Sequence, residues 1–337
     1  MSEHDARQIA GPLMSDRYAR QIAVPEIGVS GQARLARASV LVVGAGGLGS
    51  VVLQYSSAAG VGRLTVVDHD RVEESNLHRQ PLYRVRDLGA WKAVAARDAL
   101  LETNPQTCVE PVCERLTPAN VARLVAAADV VVDAADSFAV TYTLSDECRR
   151  ACKTLVSASV LGLSGYVGAF CGGGPSYRAV FPEMPSRAGT CAESGVLGTA
   201  VGVVGALQAQ ITLSCILELQ PSPLGRLISM DFRSLRFGGF SFIGAPEPNA
   251  QATLGFIGAS QVSATDVVID LRTSAEISAM PFTSTLRTAV DGVASLNPPL
   301  PHSCRVVLCC RSGSRAWRAA RLLQAQGYES LALLALG

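Results

Sequence analysis

Short, continuous apolar runs alternate with longer segments of helical spacing through the first half of the chain. The runs occur at 39–43, 63–68, 128–133 and 153–158. A run of this length is typical of a strand that is buried on both faces, as in a parallel sheet. Helices are predicted after the first run, to about residue 59, and over 87–103, where Asn104-Pro105 ends the pattern. The alternation predicts an α/β fold with a Rossmann-like, doubly wound sheet.

The pattern changes after residue 172, where a predicted loop over 181–189 precedes a long apolar segment. That segment predicts a helix over 196–218, and polar residues within it favour a buried helix over a membrane span. They are Thr199, Gln208, Gln210, Thr212 and Glu218. Alternating residues over 228–240 predict antiparallel strands that extend the first sheet.

A second α/β pattern follows the linker-like stretch APEPNAQA, at 245–252. It has predicted strands at 267–270 and 306–309, and a helix over 314–326 that ends at Gly327. This predicts a second, small α/β unit after the large sheet.

Length and charge fit two globular domains. At about 150 residues per domain, 337 residues predict about two domains. We place the first over 1–247, a linker over 248–258 and the second over 259–337. With 29 Lys and Arg against 28 Asp and Glu, the net charge is +1, which argues against a nucleic-acid binder because phosphates require a basic surplus. The early residues are charged throughout, so no signal peptide is predicted.

The chain has 10 cysteines, which are scattered without regular spacing and form no Cys-x-x-Cys pair. This pattern favours a reducing cytoplasm over a secreted disulfide scaffold. It also gives no signal for a tetrahedral zinc site.

A glycine-rich motif follows the first predicted strand and opens a helix: Gly44-x-Gly46-Gly47-x-Gly49. Glycines let backbone N–H groups approach a phosphate, and a helix N-terminus favours negative charge. Asp68 follows Gly49 by 19 residues, at the end of the next strand, where its carboxylate can accept hydrogen bonds from ribose hydroxyls. The motif predicts a nucleotide site rather than a glycine-rich packing turn, but it does not separate NAD from ATP.

Charged residues farther along favour a triphosphate. Arg79 lies in the polar segment after the second strand, and Lys92 lies on the next helix. Together they could clamp a triphosphate, which hydride transfer does not need. Asp136 follows the strand at 128–133 and could hold Mg²⁺ through an oxygen ligand. Each charge alone is typical of a solvated surface, but the carboxyl ends of consecutive strands would bring them to one crevice.

Ordered motifs recur between about residues 15 and 245. They are Arg17-Tyr18-x-Arg20-Gln21, Gly44–Gly49, Ala58-Ala59-Gly60-Val61-Gly62, Val67-Asp68-x-Asp70, Ser75-Asn76-Leu77-x-Arg79-Gln80, Gly89-x-x-Lys92-Ala93 and Asn104-Pro105. Together they resemble the ThiF/MoeB/HesA family of ubiquitin-activating-like adenylyltransferases, which act on small sulfur-carrier proteins.

The resemblance implies that ATP lies over the glycine loop. Asp68 would hold the ribose, and Asn76, Arg79 and Lys92 would hold the phosphates. The implied nucleotide-binding set is Gly44, Gly46, Gly47, Gly49, Asp68, Asp70, Ser75, Asn76, Arg79, Gln80, Lys92, Asp136 and Ser137.

Two further implied roles concern Mg²⁺ and a second subunit. Asp136 would support Mg²⁺; the family usually has Asp-Asn there, and Ser137 replaces the amide. Arg20 would reach the phosphates bound by the other subunit, which implies a homodimer. Arg20, Lys92 and Asp136 are thus candidate catalytic residues.

The family often carries two Cys-x-x-Cys pairs that bind zinc. The first would fall in 175–179, where Ser176 and Ala179 stand, and the second near 235–250, which contains no cysteine. We therefore predict no zinc, and we expect packing to hold this part of the fold.

Cys191 is predicted to lie on the loop before the apolar helix. A cysteine near a helix N-terminus can have a lowered pKa, and the thiolate is the nucleophile. Several members of the family use a cysteine here to form a thioester or an acyl disulfide with the carrier, and others keep one without needing it. A covalent role and simple packing both stay open.

Segments 267–276 and 306–316 resemble a rhodanese domain. They include a persulfide loop of Cys310, Arg311, Ser312, Gly313, Ser314 and Arg315 at a strand end. Backbone N–H groups of such a loop can hold an anionic sulfur, and its two arginines would favour the thiolate or persulfide of Cys310. Cys309 should point the opposite way along the strand. The domain is short and lacks the usual His-x-Pro-Gly-Ala stretch over 277–291, so a degenerate, inactive module is the alternative.

These resemblances imply an adenylyltransferase with sulfurtransferase activity. With ATP and Mg²⁺ it would adenylate the C-terminal Gly-Gly of a ubiquitin-like (β-grasp) sulfur carrier. A persulfide on Cys310, supplied by a donor such as a cysteine desulfurase or thiosulfate, would then give a thiocarboxylate, with Cys191 as a second catalytic cysteine. We expect a cytoplasmic homodimer that binds neither nucleic acid nor a membrane.

Three other functions stay open. One is a ubiquitin-like protein activator that forms a thioester on Cys191 without sulfur transfer; the others are a nicotinamide dehydrogenase and a carrier-binding scaffold without catalysis. ATP–pyrophosphate exchange without NAD binding would exclude the dehydrogenase. Full activity of a Cys310→Ala variant would favour the activator.

Overall fold

The structure, a computed structural model, describes residues 16–185, 195–249, 253–276, 282, 285–296 and 299–337. Its larger sheet is built from β1 (Ser39–Val43), β2 (Arg63–Val67), β3 (Cys108–Val112), β4 (Val130–Asp133), β5 (Thr154–Leu161), β6 (Ser164–Cys171), β7 (Arg226–Asp231) and β8 (Arg236–Ser241). The strand order is β3-β2-β1-β4-β5-β6-β7-β8. Strands β1 to β5 are parallel, and β6, β7 and β8 extend the sheet antiparallel. This confirms the predicted sheet and its antiparallel extension.

Helices cover both faces of this sheet. They are α1 (Ala19–Ile22), α2 (Gly28–Arg37), α3 (Gly47–Ala58), α4 (Lys92–Thr103), α5 (Val121–Ala126), α6 (Phe138–Arg150), α7 (Tyr177–Val180) and α8 (Gly198–Leu217). Successive residues of β1 alternate between the faces: Val40 and Val42 share a core with α3 and α8, and Leu41 and Val43 share one with α5 and α6. The run at 39–43 is apolar because both of its faces are buried.

The long apolar helix α8 lies against α3 and strands β5 and β6. It is the one described helix that is long and apolar enough to cross a membrane, and 56% of its most apolar window is buried within the protein. Gln208 is fully buried in it, and its side-chain amide donates to the backbone carbonyls of Asp133 at 2.7 Å and Val156 at 3.1 Å. Its apolar character is therefore explained by packing against the sheet.

The smaller sheet is built from β9 (Val267–Asp270), β10 (Thr285–Arg287), β11 (Val306–Cys310) and β12 (Leu331–Ala335), with the helix α9 (Ser314–Ala325). Its order is β10-β9-β11-β12 and all pairs are parallel. This confirms the predicted small α/β unit. We call the described residues up to 249 the first lobe and those from 253 the second lobe.

The two lobes share one apolar core. Val43 and Tyr142 of the first lobe belong to the same buried cluster as Leu308 and Trp317 of the second. The Tyr142 and Trp317 rings lie 5.1 Å apart, centre to centre. The guanidinium of Arg178 lies 4.6 Å from the Tyr142 ring centre. The second lobe is therefore packed onto the first rather than merely tethered to it.

A hydrogen-bonded cluster around the carboxylate of Glu247 lies where the first zinc-binding pair of the family would fall. Glu247 accepts hydrogen bonds from the backbone N–H of Ser176 at 2.7 Å and from its hydroxyl at 2.6 Å. Arg149 donates to the same carboxylate at 2.8 Å. The two segments expected to be joined by packing are thus joined by an ion pair and hydrogen bonds.

One predicted helix begins later than expected. The pattern over 87–103 predicted a helix from residue 87, but α4 begins at Lys92. Gly89 has a φ of +83°, outside the helical region, and the Lys92 N–H donates to the Asp70 carbonyl at 2.9 Å. The boundary in the prediction is wrong because this tertiary bond ties the first residue of α4 to the segment after β2.

Candidate active site

The glycine loop joins β1 to the N-terminus of α3. Gly44 has a φ of +93°, and a Cβ there would lie 2.6 Å from the carbonyl oxygen of Ala134. A side chain on Gly49 would collide with the carbonyl oxygen of Gly44. The first position thus needs glycine for its backbone conformation, and the second for close packing of helix against strand. The resulting turn lies at the N-terminus of a 12-residue helix, a position that favours a bound anion.

Asp68, at the end of β2, braces this loop from behind. One carboxylate oxygen accepts the N–H of Ala45 at 2.7 Å, and the other accepts the N–H of Asp70 at 2.7 Å. Burial raises the pKa of Asp68, and these backbone hydrogen bonds work in the opposite direction. Each carboxylate oxygen retains a lone pair that a ribose hydroxyl can use.

Lys92 faces the same strand edge from the first turn of α4. It is only 6% exposed, and its ammonium lies 3.0 Å from a carboxylate oxygen of Asp70. Partial burial would raise the pKa of Asp70, but the Lys92 ammonium outweighs it and the pKa is lowered. The Tyr83 hydroxyl donates to the Ala45 carbonyl at 2.6 Å and ties the loop to this cluster. The lysine is therefore held in place by a contact within the chain.

A crevice of about 670 Å³ opens above these groups. Most of the predicted nucleotide-binding residues line it: Gly44, Gly46, Gly47, Asp68, Asp70, Asn76, Arg79, Gln80, Lys92, Asp136 and Ser137. Gly49 and Ser75 do not line it, and neither does Arg20, which is exposed on α1. The structure describes a single chain, so the predicted reach of Arg20 into another subunit stays a prediction.

Arg115 is a crevice residue that sequence reasoning missed. It follows β3 and lines the crevice. Its guanidinium nitrogen Nη2 lies 2.9 Å from the ring nitrogen Nε2 of His69. Arg115 was missed because β3, the strand before it, was not predicted. The sequence of β3, CVEPV, contains a proline and a glutamate and so lacks a continuous apolar run. Proline is tolerated there because β3 is an edge strand.

Gln80 carries an acceptor without a partner at the crevice wall. The residue is 3% exposed, and its side-chain carbonyl oxygen has no hydrogen-bond partner within the part of the chain that the structure describes. Its amide nitrogen would lie 3.7 Å from a Cβ placed on Gly46. A buried unpaired acceptor beside the glycine loop is the condition expected of a group that meets a ligand.

Two aspartates follow β4, and they differ in environment. Asp133 is fully buried and accepts hydrogen bonds from the hydroxyls of Thr141 at 2.7 Å and Ser157 at 2.8 Å. Burial raises its pKa to about 6, despite these hydrogen bonds. Asp136 is exposed in the crevice wall. Asp133 therefore holds the start of α6 through Thr141, and Asp136 is the carboxylate available to a ligand.

Among the described residues, one group of three side chains could hold a metal ion: Asp68, His69 and Asp70. Two of its members are already engaged, since Asp68 accepts two backbone N–H groups and Asp70 pairs with Lys92. The prediction that the protein carries no zinc stays a prediction.

The persulfide loop lies at the end of β11, and Cys310 within it is fully buried. The N–H of Gly313, which has a φ of +89°, donates to its sulfur at 3.1 Å. Cys309 lies in a different apolar cluster from Cys310, as expected of adjacent strand residues. Burial raises the pKa of Cys309 to about 12.

The two arginines of the persulfide loop differ from each other. Arg311 is exposed, as is Ser312. Arg315 instead makes a two-point ion pair with Glu276, at 2.7 and 2.5 Å, which lowers the pKa of Glu276 to about 2. Much of the charge that Arg315 was predicted to offer the sulfur is therefore offset by a carboxylate.

Cys191 falls in 186–194, outside the described residues. Its predicted role is therefore without a structural account, although the flanking Pro185 and Val196 both line the crevice.

A sequence profile of the ThiF family matches residues 18–253, which is most of the chain. The chain belongs to the ThiF family. Its relatives include "Adenylyltransferase and sulfurtransferase MOCS3" of Bos taurus, 46% identical over 228 residues, which are 65% of this chain and 50% of that protein. The "SAMP-activating enzyme E1" of Haloferax volcanii is 43% identical over 225 residues, 66% of this chain and 83% of that protein.

The chain spans about half the length of the MOCS3 relatives it matches. The family match ends at residue 253, so it covers the first lobe and leaves the second unassigned. Among solved structures, E. coli MccB with ATP has a TM-score of 0.59 at 20% identity, covering 69% of this chain and 73% of MccB. That similarity supports the fold of the ThiF-family chain, and no argument about its activity or ligands rests on it.

Proposed function

We propose that this chain uses ATP to adenylate the C-terminal glycine of a ubiquitin-like sulfur carrier and then converts it to a thiocarboxylate. The adenylation step rests on one observation at the carboxyl end of β2. Buried Asp68 holds the glycine loop there through a hydrogen bond, and Lys92 is paired with Asp70 beside it. An anion-binding turn next to a held ammonium suits a triphosphate, and a nicotinamide site has no use for that ammonium. The names of the relatives, adenylyltransferase and sulfurtransferase, support the same reaction.

The adenylation step needs positioning and charge stabilisation more than covalent chemistry by the protein. A carboxylate oxygen of the carrier attacks the α-phosphorus of ATP, the bond from that phosphorus to the bridging oxygen breaks, and pyrophosphate leaves. Arg79 and Lys92 would offset the charge on the phosphates, with Arg20 from a second subunit. Asp68 would orient the ribose, and Gln80 would use its unpaired acceptor on the nucleotide or the carrier tail.

Asp136 is the residue that fits Mg²⁺. Its carboxylate lines the crevice and accepts no hydrogen bond from any described residue, and carboxylate oxygen is a ligand that this ion prefers. When bound, the ion would neutralise phosphate charge. Ser137, beside it, is the weaker substitute for the usual amide.

The sulfur step uses a persulfide on Cys310, delivered by a donor such as a cysteine desulfurase or thiosulfate. Its terminal sulfur attacks the acyl-adenylate carbonyl, a carbon–sulfur bond forms, and AMP leaves with the electron pair. A thiol, either Cys191 or one from solution, then attacks the Cys310 sulfur and releases the thiocarboxylate, leaving a disulfide. The persulfide loop supports this role through the N–H of Gly313, while Arg311, Ser312, Ser314 and Arg315 shape the loop.

We further propose an adenylation domain over 1–247, a linker over 248–258 and a rhodanese-like domain over 259–337, in a zinc-free homodimer. The nine described cysteines are all free thiols, which supports a reducing compartment.

The proposal is tested by ATP–pyrophosphate exchange with candidate β-grasp carriers, followed by mass spectrometry of the carrier. Lys92→Ala should lower exchange by at least about 100-fold, because a preorganised charge on the phosphates is lost. Lys153→Ala is the matched control, since these are the two lysines of the chain. Exchange that survives in Lys92→Ala and in Asp136→Ala would refute the site, and absence of exchange with every carrier would refute the function.

The second candidate is an activator that forms a thioester on Cys191 without sulfur transfer. The observation that supports the activator is the full burial of Cys310. A sulfur that meets no solvent is compatible with a second lobe that transfers no sulfur. If the chain transfers sulfur through Cys310, a Cys310→Ala variant should keep ATP–pyrophosphate exchange, and its carrier should no longer gain sulfur in place of oxygen. If that variant still makes thiocarboxylate, Cys310 carries no sulfur.

A further inference from the structure

Gln80 is held against the glycine loop by its own backbone. Its N–H donates to the carbonyl of Asn76 at 3.1 Å, and its carbonyl accepts the N–H of Tyr83 at 3.2 Å. The Tyr83 hydroxyl in turn donates to the carbonyl of Ala45 in the loop. Both backbone groups of Gln80 are therefore satisfied, and its side chain is what it can offer to a ligand.

The segment that carries Gln80 connects the glycine loop to the start of α8. A Cβ placed on Gly46 would lie 3.7 Å from the Gln80 amide nitrogen. A Cβ placed on Gly198, the first residue of α8, would collide with the carbonyl oxygen of His78. Gln80 thus lies at the corner of the crevice where the glycine loop, the segment 78–80 and α8 meet.

The lining of the crevice differs in charge between its two sides. The side next to the end of β2 includes the charged residues Asp68, Asp70 and Lys92. The lining residues of β5 and α8 are all uncharged: Ala158, Ser159, Val160, Leu161 and Val201. The charged side suits the phosphates of a nucleotide, and the uncharged side, which begins at the corner of Gln80, suits a peptide segment.

The unpaired oxygen of Gln80 needs a hydrogen-bond donor, and a phosphate offers none. The phosphate oxygens of ATP only accept hydrogen bonds, and the proposed function places them over the glycine loop beside Gln80. The ribose hydroxyls, which can donate, are assigned to the carboxylate of Asp68. A peptide tail, by contrast, brings a backbone N–H with each residue, and each buried N–H needs an acceptor.

We propose that the side-chain carbonyl oxygen of Gln80 accepts the N–H of the carrier's C-terminal glycine and thereby sets its carboxylate at the α-phosphorus of ATP. This rests on the proposed function and names the backbone group that the site recognises. The amide nitrogen and the carboxylate carbon of that glycine are bonded to the same Cα, so a hydrogen bond to the first restricts the position of the second. The contact is to the backbone, so it needs no side chain, which a glycine lacks.

An ester in place of the last peptide bond tests this contact on the unaltered protein. In the β-grasp carrier that supports exchange, semisynthesis replaces the terminal glycine by glycolate, so that an ester oxygen stands where the N–H was. The kcat/KM for this carrier should be at least about tenfold lower than for the normal carrier, because a buried acceptor then faces another acceptor. An ester carrier that is adenylated as fast as the normal one would overturn the proposal without the use of any variant.

A variant shows whether that loss arises at Gln80. Gln80→Met keeps the length of the side chain and removes the carbonyl oxygen, so the preference for the normal carrier should fall at least about fivefold. Any effect of the ester on the carboxylate itself persists in this variant. The matched control is Gln210→Met, at an exposed position of α8 outside the crevice lining, which should keep the full preference. An undiminished preference in Gln80→Met would overturn the proposal.

Steady-state constants separate a contact to the tail from a contact to the nucleotide. With the normal carrier, Gln80→Met should lower kcat/KM for the carrier about tenfold and leave the KM for ATP within about twofold, because the phosphate contacts are retained. A raised KM for ATP with unchanged constants for the carrier would assign Gln80 to the nucleotide and overturn the proposal. Absence of exchange in the unaltered chain with every carrier would instead refute the proposed function.

Discussion

At the residue scale, Asp68 illustrates how far sequence reasoning reaches. Its spacing from Gly49 predicts a carboxylate at the strand end beside the loop, and the structure places it there. The spacing does not predict that both of its oxygens already hold backbone N–H groups. Those bonds depend on how three segments meet, and only the fold decides that.

Arg315 makes another contact that the sequence did not predict. The persulfide-loop motif predicts that it serves the sulfur, but its partner is Glu276, 39 residues earlier in the chain. A pairing over that separation leaves no periodic signal in the sequence. The motif therefore does not predict this ion pair, and the role of Arg315 beside the sulfur stays a prediction.

Asp133 yields a prediction about pH. Its pKa is raised to about 6 from an ordinary value of 3.8, so the folded chain holds a proton that the unfolded chain releases between those pH values. The stability that depends on this proton is present below about pH 4 and is lost as the pH rises toward 6, by an amount on the order of 3 kcal/mol. Asp133→Asn removes the titration while keeping an amide that can bond Thr141 and Ser157. Urea unfolding at pH 4.5 and pH 7.5 should show the variant gaining stability relative to the unaltered chain at the higher pH; an equal difference at both pH values would contradict this.

At the element scale, two of the strands that were missed, β3 and β6, share a cause. Strand β3 contains Pro111, and β6 contains two glycines, so neither has the uniform apolar run of β1 or β4. The antiparallel position of β6 tolerates the glycines, since one of them packs where a side chain would meet Val204 of α8. The uniform runs of β1 and β4 were predictable because both of their faces are buried, whereas β3 and β6 were not; β12, with the sequence LALLA, was missed although it is such a run.

The Glu247 cluster yields a prediction about stability. Glu247→Ala removes the acceptor for both groups of Ser176 and leaves buried donors unpaired, which should cost about 1–3 kcal/mol. Arg149→Ala removes only a half-exposed pair, so its cost should be below about 1 kcal/mol. Thermal unfolding measures both, and equal losses would show that the hydrogen bonds to Ser176 do not hold the segment. Since no metal is expected in this cluster, a chelator should leave both transitions unchanged.

At the scale of the whole molecule, the second lobe shares a buried apolar cluster with the first. Tyr142, Trp317 and Leu308 lie in one buried cluster, and Arg178 binds both Asp146 of α6 and the carbonyl of Leu254 in the second lobe. The sequence predicts two units from the linker-like composition at 245–252, but composition cannot report which apolar faces meet. The shared core became visible only from the structure.

A shared core predicts that the two lobes unfold together. The chain has two tryptophans, Trp91 in the first lobe, stacked under Arg71 at 4.0 Å, and Trp317 in the second. In Trp91→Phe, tryptophan fluorescence reports on the second lobe alone. In Trp317→Phe, it reports on the first lobe alone. In each variant, the urea midpoint from fluorescence should coincide with that from far-UV circular dichroism, because each lobe buries apolar side chains in the cluster that it shares with the other. The two variants control for each other: a Trp317 signal that changes at lower urea than the circular dichroism of the same variant would mean that the second lobe unfolds before the first.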